Sequence, residues 1–310
     1  MKSTVLTLAL ASAAAARKVT VYNACPFTIW PAMFTNAGGL PSQPTGWVAN
    51  AFTSVSFDVP AQWNGRIWGR RNCDFSTNPG PNSCLTGGCN GGLLCSTTTG
   101  TGVPPVTLAE FNLNADGTDW YDVSLVDGYN LPMRITNNAG CPNPDCPVDL
   151  GPICPSDLKG PYDSAGFPVG CKSACLVDAL AGKAGDSPNC CSGRYVLSLP
   201  PFLPRFMTAP LTLTQPQRAR DLPALRRLAL RFLQYVAVLP SPSLPFSPSP
   251  APRSPPPVPR SPPSLQHRLT PPPEGNCPNS YAYAYDESSG TALWTCPASK
   301  SAEWTITFCP

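Results

Sequence analysis

The chain has 310 residues, of which 42% are hydrophobic and 13% charged, which is enough for one large β domain or two modest ones. Its formal net charge of +3 is misleading, because residues 194–274 hold ten arginines and no lysine against two acids. The remainder has 11 basic and 16 acidic residues, a net charge of −5, which argues against nucleic-acid binding.

Residues 1–16, MKSTVLTLALASAAAA, combine one lysine, a short apolar run and small residues at the end. This pattern predicts a secretory signal peptide cut near Ala16. It does not predict a membrane span, because the apolar run is too short. No later stretch has 18 uninterrupted apolar residues. We therefore expect a secreted protein, extracellular or in the cell wall, with no membrane span.

Fifteen cysteines in a secreted chain predict a framework of disulfides. Zinc is disfavoured because His267, the single histidine, lies in low-complexity sequence far from any cysteine pair. We therefore expect no metal and no cofactor. The odd number of cysteines leaves one thiol over.

Strand-like alternation begins at Lys18 and returns over residues 49–70, and prolines 26 and 31 confine pairing to edges or strand starts. Residues 72–105 are rich in Cys, Gly, Asn, Thr and Pro, which predicts loops stapled by disulfides. Residues 141–191 contain seven cysteines and one predicted helix, 173–182, with Ser173 as N-cap. The tail alternates again in Trp304, Ile306 and Phe308.

A predicted hairpin within residues 106–133 carries the acids that point most directly to a functional site. If its loop is Ala115 to Gly117, Glu110 lies directly opposite Asp122. Opposed like charges cost a sheet about 0.2–1 kcal/mol, so the arrangement needs a reason. Asp127 follows at a turn with Gly128 and adds a third carboxylate. The sequence therefore predicts a cleft built from carboxylates.

Residues 196–273 contain 21 of the 42 prolines and no cysteine, so we expect no packed core there. Within them, residues 221–239 form a predicted basic amphipathic helix, for which a role at a membrane surface is conceivable. The alternatives for the whole segment are a disordered linker and translated intron sequence. The Arg, Pro, Ser and Leu bias without lysine favours the intron interpretation.

Eight motifs occur in the order typical of one family, and with them the chain resembles the thaumatin-like proteins, the pathogenesis-related family 5. The resemblance covers about residues 18–193 and 275–310. The motifs are GRIWGRRNCDF (65–75), CLTGGCNGGLLC (84–95), AEFNL (109–113), WYDVSLVDGYNLPM (120–133), CKSACL (171–176), NCC (189–191), AYAYDE (282–287) and ITFCP (306–310).

The resemblance implies a mainly β fold, with an antiparallel β-sandwich core and disulfide-rich satellite domains. The implied parts are a core of residues 17–71, 106–145 and 278–310, a small disulfide-stapled loop domain at 72–105, a disulfide-rich domain with a short helix at 146–193 and 274–277, and a Pro/Arg-rich disordered insert at 194–273.

The resemblance also implies seven disulfides. Cys191 is left unpaired, because the insert begins where its family partner belongs. The implied pairs are Cys25–Cys309, Cys73–Cys84, Cys89–Cys95, Cys141–Cys296, Cys146–Cys277, Cys154–Cys171 and Cys175–Cys190.

The family's acidic cleft uses one arginine and four acids, and all five motif positions are present here. Glu110 and Asp127 are the expected catalytic pair if the cleft cleaves glycosidic bonds, with one acid for the leaving oxygen and one base or nucleophile. The competing interpretation is that Asp127 only caps its turn and that Asp122 accepts loop amides. The implied ligand-binding residues are Arg66, Glu110, Asp122, Asp127 and Asp286.

Aromatic side chains near these acids could stack on sugar rings, although ordinary cross-strand packing explains most of them. They are Trp120, Tyr121, Tyr129, Tyr281, Tyr283 and Tyr285. Three functional hypotheses follow: a monomeric defence protein that binds β-1,3-glucan or another cell-wall polysaccharide, a weak endo-β-1,3-glucanase, and a protein-binding module such as a hydrolase inhibitor.

Overall fold

A computed structural model describes residues 16–193, 276–283 and 286–310, all of which fall in one compact unit. Three predicted segments lie outside the described residues. They are residues 1–15 of the predicted signal peptide, the whole Pro/Arg-rich insert at 194–273, and the helix predicted at 221–239 within that insert.

The described residues contain eleven strands, one α-helix and three 3₁₀ turns. The strands are β1 (Arg17–Asn23), β2 (Trp30–Ala37), β3 (Thr53–Val59), β4 (Asn64–Cys73), β5 (Cys84–Thr86), β6 (Leu108–Ala115), β7 (Thr118–Ser124), β8 (Met133–Asn137), β9 (Asp145–Cys146), β10 (Trp294–Pro297) and β11 (Trp304–Phe308). The helix α1 spans Ala174–Leu180, and the 3₁₀ turns span Ala184–Asp186, Asp286–Ser289 and Ala298–Lys300.

The strands form two sheets that enclose one hydrophobic core. The first sheet has the order β3-β1-β11-β8-β9, and the second has the order β10-β7-β6-β4-β2, with β5 paired to β4. Pairing is antiparallel throughout except between β1 and β11. The predicted mainly β sandwich is therefore confirmed, and the edge position of β2 accommodates Pro31 as expected.

The tail of the chain supplies a strand to each sheet. Trp304, Ile306 and Phe308 are buried on one side of β11, as their alternation predicts. The Trp304 ring packs at 5.7 Å from Phe111 and 4.4 Å from Tyr121, both of the opposite sheet. Because β11 lies between β1 and β8, the first sheet cannot be completed without the tail.

Seven disulfides tie the strands and the irregular regions together, and they are the seven pairs that the resemblance implies. Three of them join the tail to earlier parts of the chain, namely Cys25–Cys309, Cys141–Cys296 and Cys146–Cys277. Cys191 is half-buried, and burial raises the pKa of its thiol.

The disulfide-rich region contains the predicted helix. Ser173 is its N-cap, and its hydroxyl Oγ accepts a hydrogen bond from the backbone N of Leu176 at 3.1 Å. The cap satisfies one of the amide donors that an α-helix leaves without intrahelical acceptors at its start. The helix is one residue shorter at its start and two at its end than the predicted 173–182.

Arg70 connects the loop region after β4 to the second sheet. Its guanidinium is fully buried and donates to the carbonyl oxygens of Trp30, Pro31, Gly92 and Leu93 at 2.7–3.2 Å. Burial lowers the pKa of Arg70 to about 10. A buried cation surrounded by carbonyl dipoles fixes where the stapled loops lie against β2.

Candidate functional site

Arg66, Glu110 and Asp122 lie in one row across three neighbouring strands of the second sheet. Arg66 of β4 pairs with Glu110 of β6, and Glu110 pairs with Asp122 of β7. Side chains directly opposite each other on antiparallel strands have Cβ atoms about 4.5–5.5 Å apart. Their chain neighbours Ile67, Phe111 and Tyr121 are buried in the core, so the row lies on the opposite face of the sheet.

The hairpin between β6 and β7 sets this register. Its turn has two residues, Asp116 and Gly117, with φ of 54° and 80°, because Ala115 already pairs with Thr118. The predicted three-residue loop is therefore wrong. The register shifts between Asn112 and Ala115, where Asn114 has a φ of 49°. This β-bulge adds the residue that the shorter turn omits, so Glu110 still faces Asp122 as predicted.

Asp119 holds the bulge in place, and sequence reasoning missed it. Its Oδ1 accepts a hydrogen bond from the backbone N of Asn114 at 2.8 Å. Arg17 forms a buried ion pair with its Oδ2 at 3.1 Å and also donates to the carbonyl oxygens of Ala298 and Ala302. Nothing in the local pattern distinguishes Asp119 from a solvated acid, because its charged partner Arg17 is 102 residues away in the chain.

Asp127 joins the row through Arg66. Nη1 of Arg66 lies 3.7 Å from Oδ2 of Asp127, and both side chains are largely buried. Arg66 is therefore the group that links the acids on β6 and β7 to the turn after β7. In water a pair at this distance would gain about 1 kcal/mol, and partial burial strengthens it.

The turn that carries Asp127 is held by backbone contacts. The backbone N of Gly128 donates to Leu125 O at 2.9 Å, and Val106 N donates to Asp127 O at 3.1 Å. Gly128 has a φ of 89°, and a Cβ there would lie 2.7 Å from the carbonyl O of Cys171. The turn signal of Asp127-Gly128 is confirmed, and it fixes the carboxylate beside Arg66.

Asn130 supports the same turn and was also missed from sequence. Its Oδ1 accepts from Thr107 N at 3.0 Å, and its Nδ2 donates to Gly69 O at 2.8 Å and to Thr86 Oγ1 at 3.0 Å. One buried amide thus ties the segment after Asp127 to β4, β5 and the start of β6. A fully bonded buried amide of this kind specifies one loop conformation.

Asp286 lies in a segment attached to the end of β7. Tyr281 N donates to Val123 O at 2.8 Å, and Leu125 N donates to Tyr281 O at 2.8 Å. Asp286 is buried, and its Oδ2 accepts from the backbone N of Ala282 at 3.0 Å. The structure therefore brings the segment of Asp286 to the strand of Asp122, whereas its participation in the acidic cleft stays a prediction.

Two of the aromatic candidates are core residues. Tyr121 and Tyr129 are buried, and their hydroxyls donate to Pro142 O and to Asp149 Oδ1. Burial raises the pKa of both phenols above their ordinary value near 10. The interpretation as ordinary packing therefore applies to these two residues.

Trp120 has the exposed ring surface that sugar stacking needs. It is 39% exposed on β7 and pairs with Asn112, one row along the same face from Glu110 and Asp122. Tyr283 is also exposed, Tyr281 is half-buried, and Tyr285 lies outside the described residues. An exposed indole next to carboxylates combines a flat apolar face with hydrogen-bond acceptors.

No cluster of three or more His, Cys, Asp or Glu side chains within residues 16–193, 276–283 and 286–310 could hold a metal ion. In the same part of the chain, no helix is long and apolar enough to cross a membrane.

Comparison with known proteins identifies the family. The model of the thaumatin family matches residues 23–198, so the chain belongs to this family. It is 32% identical to thaumatin-like protein 1 of Arabidopsis thaliana over 305 residues, which cover 94% of this chain and 85% of that protein. It is 31% identical to pathogenesis-related thaumatin-like protein 3.5 of Cryptomeria japonica over 96% of this chain and 91% of the relative.

A third relative carries the name of an enzyme. The chain is 37% identical over 204 residues to a Prunus avium protein named glucan endo-1,3-beta-glucosidase, which covers 62% of this chain and 79% of that protein.

Proposed function

We propose that this chain is a secreted, defence-type antifungal protein whose acidic cleft binds β-1,3-glucan or a similar cell-wall glycan. The observation that supports the proposal is the cross-strand row Arg66–Glu110–Asp122, extended by the ion pair of Arg66 with Asp127. The row lies on the face of the sheet opposite to the main core, where Trp68 and Leu108 of the neighbouring positions are buried in a second, smaller hydrophobic cluster and Asp122 is itself buried.

The chemistry of the row suits a polyhydroxylated ligand. Carboxylates accept hydrogen bonds from sugar hydroxyls, and the guanidinium donates to ring and glycosidic oxygens. Trp120 offers its exposed ring on the same face, one residue pair from Glu110 and Asp122. A linear glucan lying across β6 and β7 would contact both groups.

The alternative proposal is a weak endo-β-1,3-glucanase. Glu110 and Asp127 are neighbours of the same arginine, which holds Asp127 beside the row. Glycoside cleavage needs two carboxyl groups, one as acid and one as base or nucleophile. In this proposal Glu110 and Asp127 take these roles, and the name of the Prunus avium relative favours β-1,3-glucan as the substrate.

Binding to insoluble β-1,3-glucan and release of reducing ends from laminarin test both proposals. Glu110→Gln replaces the carboxylate with an amide of the same shape, and we expect about tenfold weaker binding, because hydrogen bonds to charged groups contribute about 1.5–3 kcal/mol. Glu303→Gln is the matched control, because Glu303 is an exposed acid beside β11 in the first sheet.

The outcomes separate the three functional hypotheses. Reducing ends from the wild type but not from Glu110→Gln support the glucanase. Binding without reducing ends leaves the glycan-binding protein and removes the enzyme. No binding of the wild type to the glucan removes both and leaves a protein-binding module such as a hydrolase inhibitor.

A further inference from the structure

A cavity lies near the C-terminal end of β4, where the sandwich meets the disulfide-rich region. Its volume is about 320 Å³, close to the lower end of the range for small-molecule sites. Arg71 and Asp149 supply polar groups to its wall, Phe27 and Phe167 supply aromatic rings, and Pro132 and Pro147 supply apolar surface.

This cavity is separate from the acidic cleft. Arg71 follows Arg66 by five residues on β4, which corresponds to about 16 Å along a strand. Five is an odd number, so the two arginines project from opposite faces of the sheet. A ligand of one site does not reach the other, and none of the residues of the cavity belongs to the predicted cleft.

Arg71 is built into the wall with a donor left over. Its guanidinium carbon lies 5.0 Å from the ring centre of Phe27 and 6.0 Å from that of Phe167, and Nη1 donates to Asn130 O at 3.2 Å. Its Nε is buried and has no hydrogen-bond partner among the described residues. Nη2 also makes no hydrogen bond among the described residues and, unlike Nε, is not buried, so Nη2 is the donor that a ligand in the cavity can reach.

Asp149 supplies the complementary acceptor. Its Oδ1 accepts from Tyr129 Oη at 3.3 Å and from Gly151 N at 3.0 Å, which fixes the carboxylate at the cavity wall. Burial lowers the pKa of Arg71, and the nearby charges of Asp149 and Asp163 act in the opposite direction. These two acids offset the charge of Arg71, so an anion entering the cavity would meet opposing carboxylates.

We propose that this cavity binds one ring of a neutral sugar, independently of the acidic cleft. One hydroxyl accepts a hydrogen bond from Nη2 of Arg71, and a neighbouring hydroxyl donates to Asp149. The apolar C–H face of the ring contacts Phe27 and Phe167, which are 38% and 37% exposed and therefore accessible. A neutral ligand with adjacent donor and acceptor groups fits a wall that carries one cation and one anion.

Titration of the full chain with methyl β-D-glucopyranoside, followed by nuclear magnetic resonance of ¹⁵N-labelled protein, tests the proposal. We expect a saturable shift of the Arg71 Nε–H signal and of the backbone amides of Phe27 and Phe167. Arg71→Met keeps the aliphatic stem and abolishes the saturable shift of the amides. Arg134→Met is the matched control, because Arg134 is a partly exposed arginine on β8 that pairs with Asp145.

Phe167→Ala provides a second variant that does not remove the buried guanidinium. Phe167 is partly exposed, so the fold survives its loss, and we expect roughly two- to tenfold weaker binding of the glucoside. Glu110→Gln leaves the titration unchanged, which distinguishes this site from the cleft. The titration reports on the cavity residues alone, so its outcome does not depend on whether the acidic cleft binds glucan.

Three outcomes overturn the proposal. The first is a shift at Arg71 that stays linear with glucoside concentration. The second is equal binding by the wild type and Phe167→Ala. The third is saturable binding of inorganic phosphate at Arg71 in place of the glucoside, which would identify an anion site.

Discussion

At the scale of single residues, the acids of this chain divide into two kinds that look alike in sequence. Glu110 and Asp122 oppose each other on the outer face of the sheet, although like charges in that position destabilise strand pairing. Asp119 lies three residues before Asp122 in the same strand and is buried like Asp122, but it lies on the opposite face of the sheet and forms an ion pair with Arg17. Its role is to hold the bulge that aligns the other two.

Asp119→Asn tests this structural role. The substitution leaves Arg17 as a buried cation without its counter-charge, so we expect the free energy of unfolding to fall by about 3–5 kcal/mol. Denaturant unfolding of purified protein with its disulfides formed measures the effect. Asp58→Asn, at an exposed aspartate on β3, is the control and should change stability little. A loss equal to that of the control would show that the buried pair is dispensable.

At the scale of elements, two turns position the site by different means. The β6–β7 turn uses positive φ at Asp116 and Gly117, and a Cβ at Gly117 would meet open space. The turn after β7 combines positive φ at Gly128 with close contact to the backbone of Cys171 and to Pro105. The first turn sets the register of β6 and β7 with no packing around Gly117, whereas the second turn is packed and fixes Asp127.

Gly128→Ala and Gly117→Ala form a matched pair for this difference. Both substitutions place a Cβ on a backbone with positive φ, which costs about 1 kcal/mol. Only Gly128→Ala also forces the turn away from Cys171, so we expect it to be less stable than Gly117→Ala and to bind insoluble β-1,3-glucan more weakly. Thermal unfolding measures the loss of stability, and binding to insoluble β-1,3-glucan measures the loss of affinity. Equal behaviour of the two variants in both assays would contradict a positioning role for Gly128.

At the scale of the whole molecule, the fold depends on the return of the tail. Strand β11 lies in the middle of the first sheet, β10 is an edge of the second, and three disulfides connect the tail to earlier cysteines. The Cys25–Cys309 bridge joins residues 284 positions apart. Contacts of such long range are expensive in chain entropy to form, and a disulfide retains them once they exist.

Deletion of residues 197–273 tests whether the insert contributes to the fold. All eleven described strands and all seven disulfides lie outside this range, so we expect the shortened chain to be secreted, to unfold with unchanged or higher stability and to bind glucan like the full chain. A shorter connection lowers the entropy cost of docking the tail. Loss of secretion or of glucan binding would show that the insert has a function. Sequencing of the transcript across the same region distinguishes a linker from a retained intron.

The sequence by itself determined the class of fold, and its resemblance to the thaumatin-like proteins implied the seven disulfide pairs that the structure contains, whereas the roles of the cleft residues stay predictions. Period-two alternation is a local property, which is why β1, β4, β6 and β11 could be predicted from their own residues. The opposition of Glu110 and Asp122 was also predictable, because a hairpin register depends on a short stretch of chain.

Only the tertiary structure decided which polar groups are buried and which partners they have. Asp119, Asn130 and Arg71 carry no local signal, because their partners Arg17, Gly69, Phe27 and Phe167 are distant in the chain. The two-residue turn with its compensating bulge could not be predicted from sequence either. A three-residue loop without a bulge gives the same pairing of Glu110 with Asp122. Burial and charge pairing depend on how the two sheets and the tail pack, and that packing is a property of the whole chain.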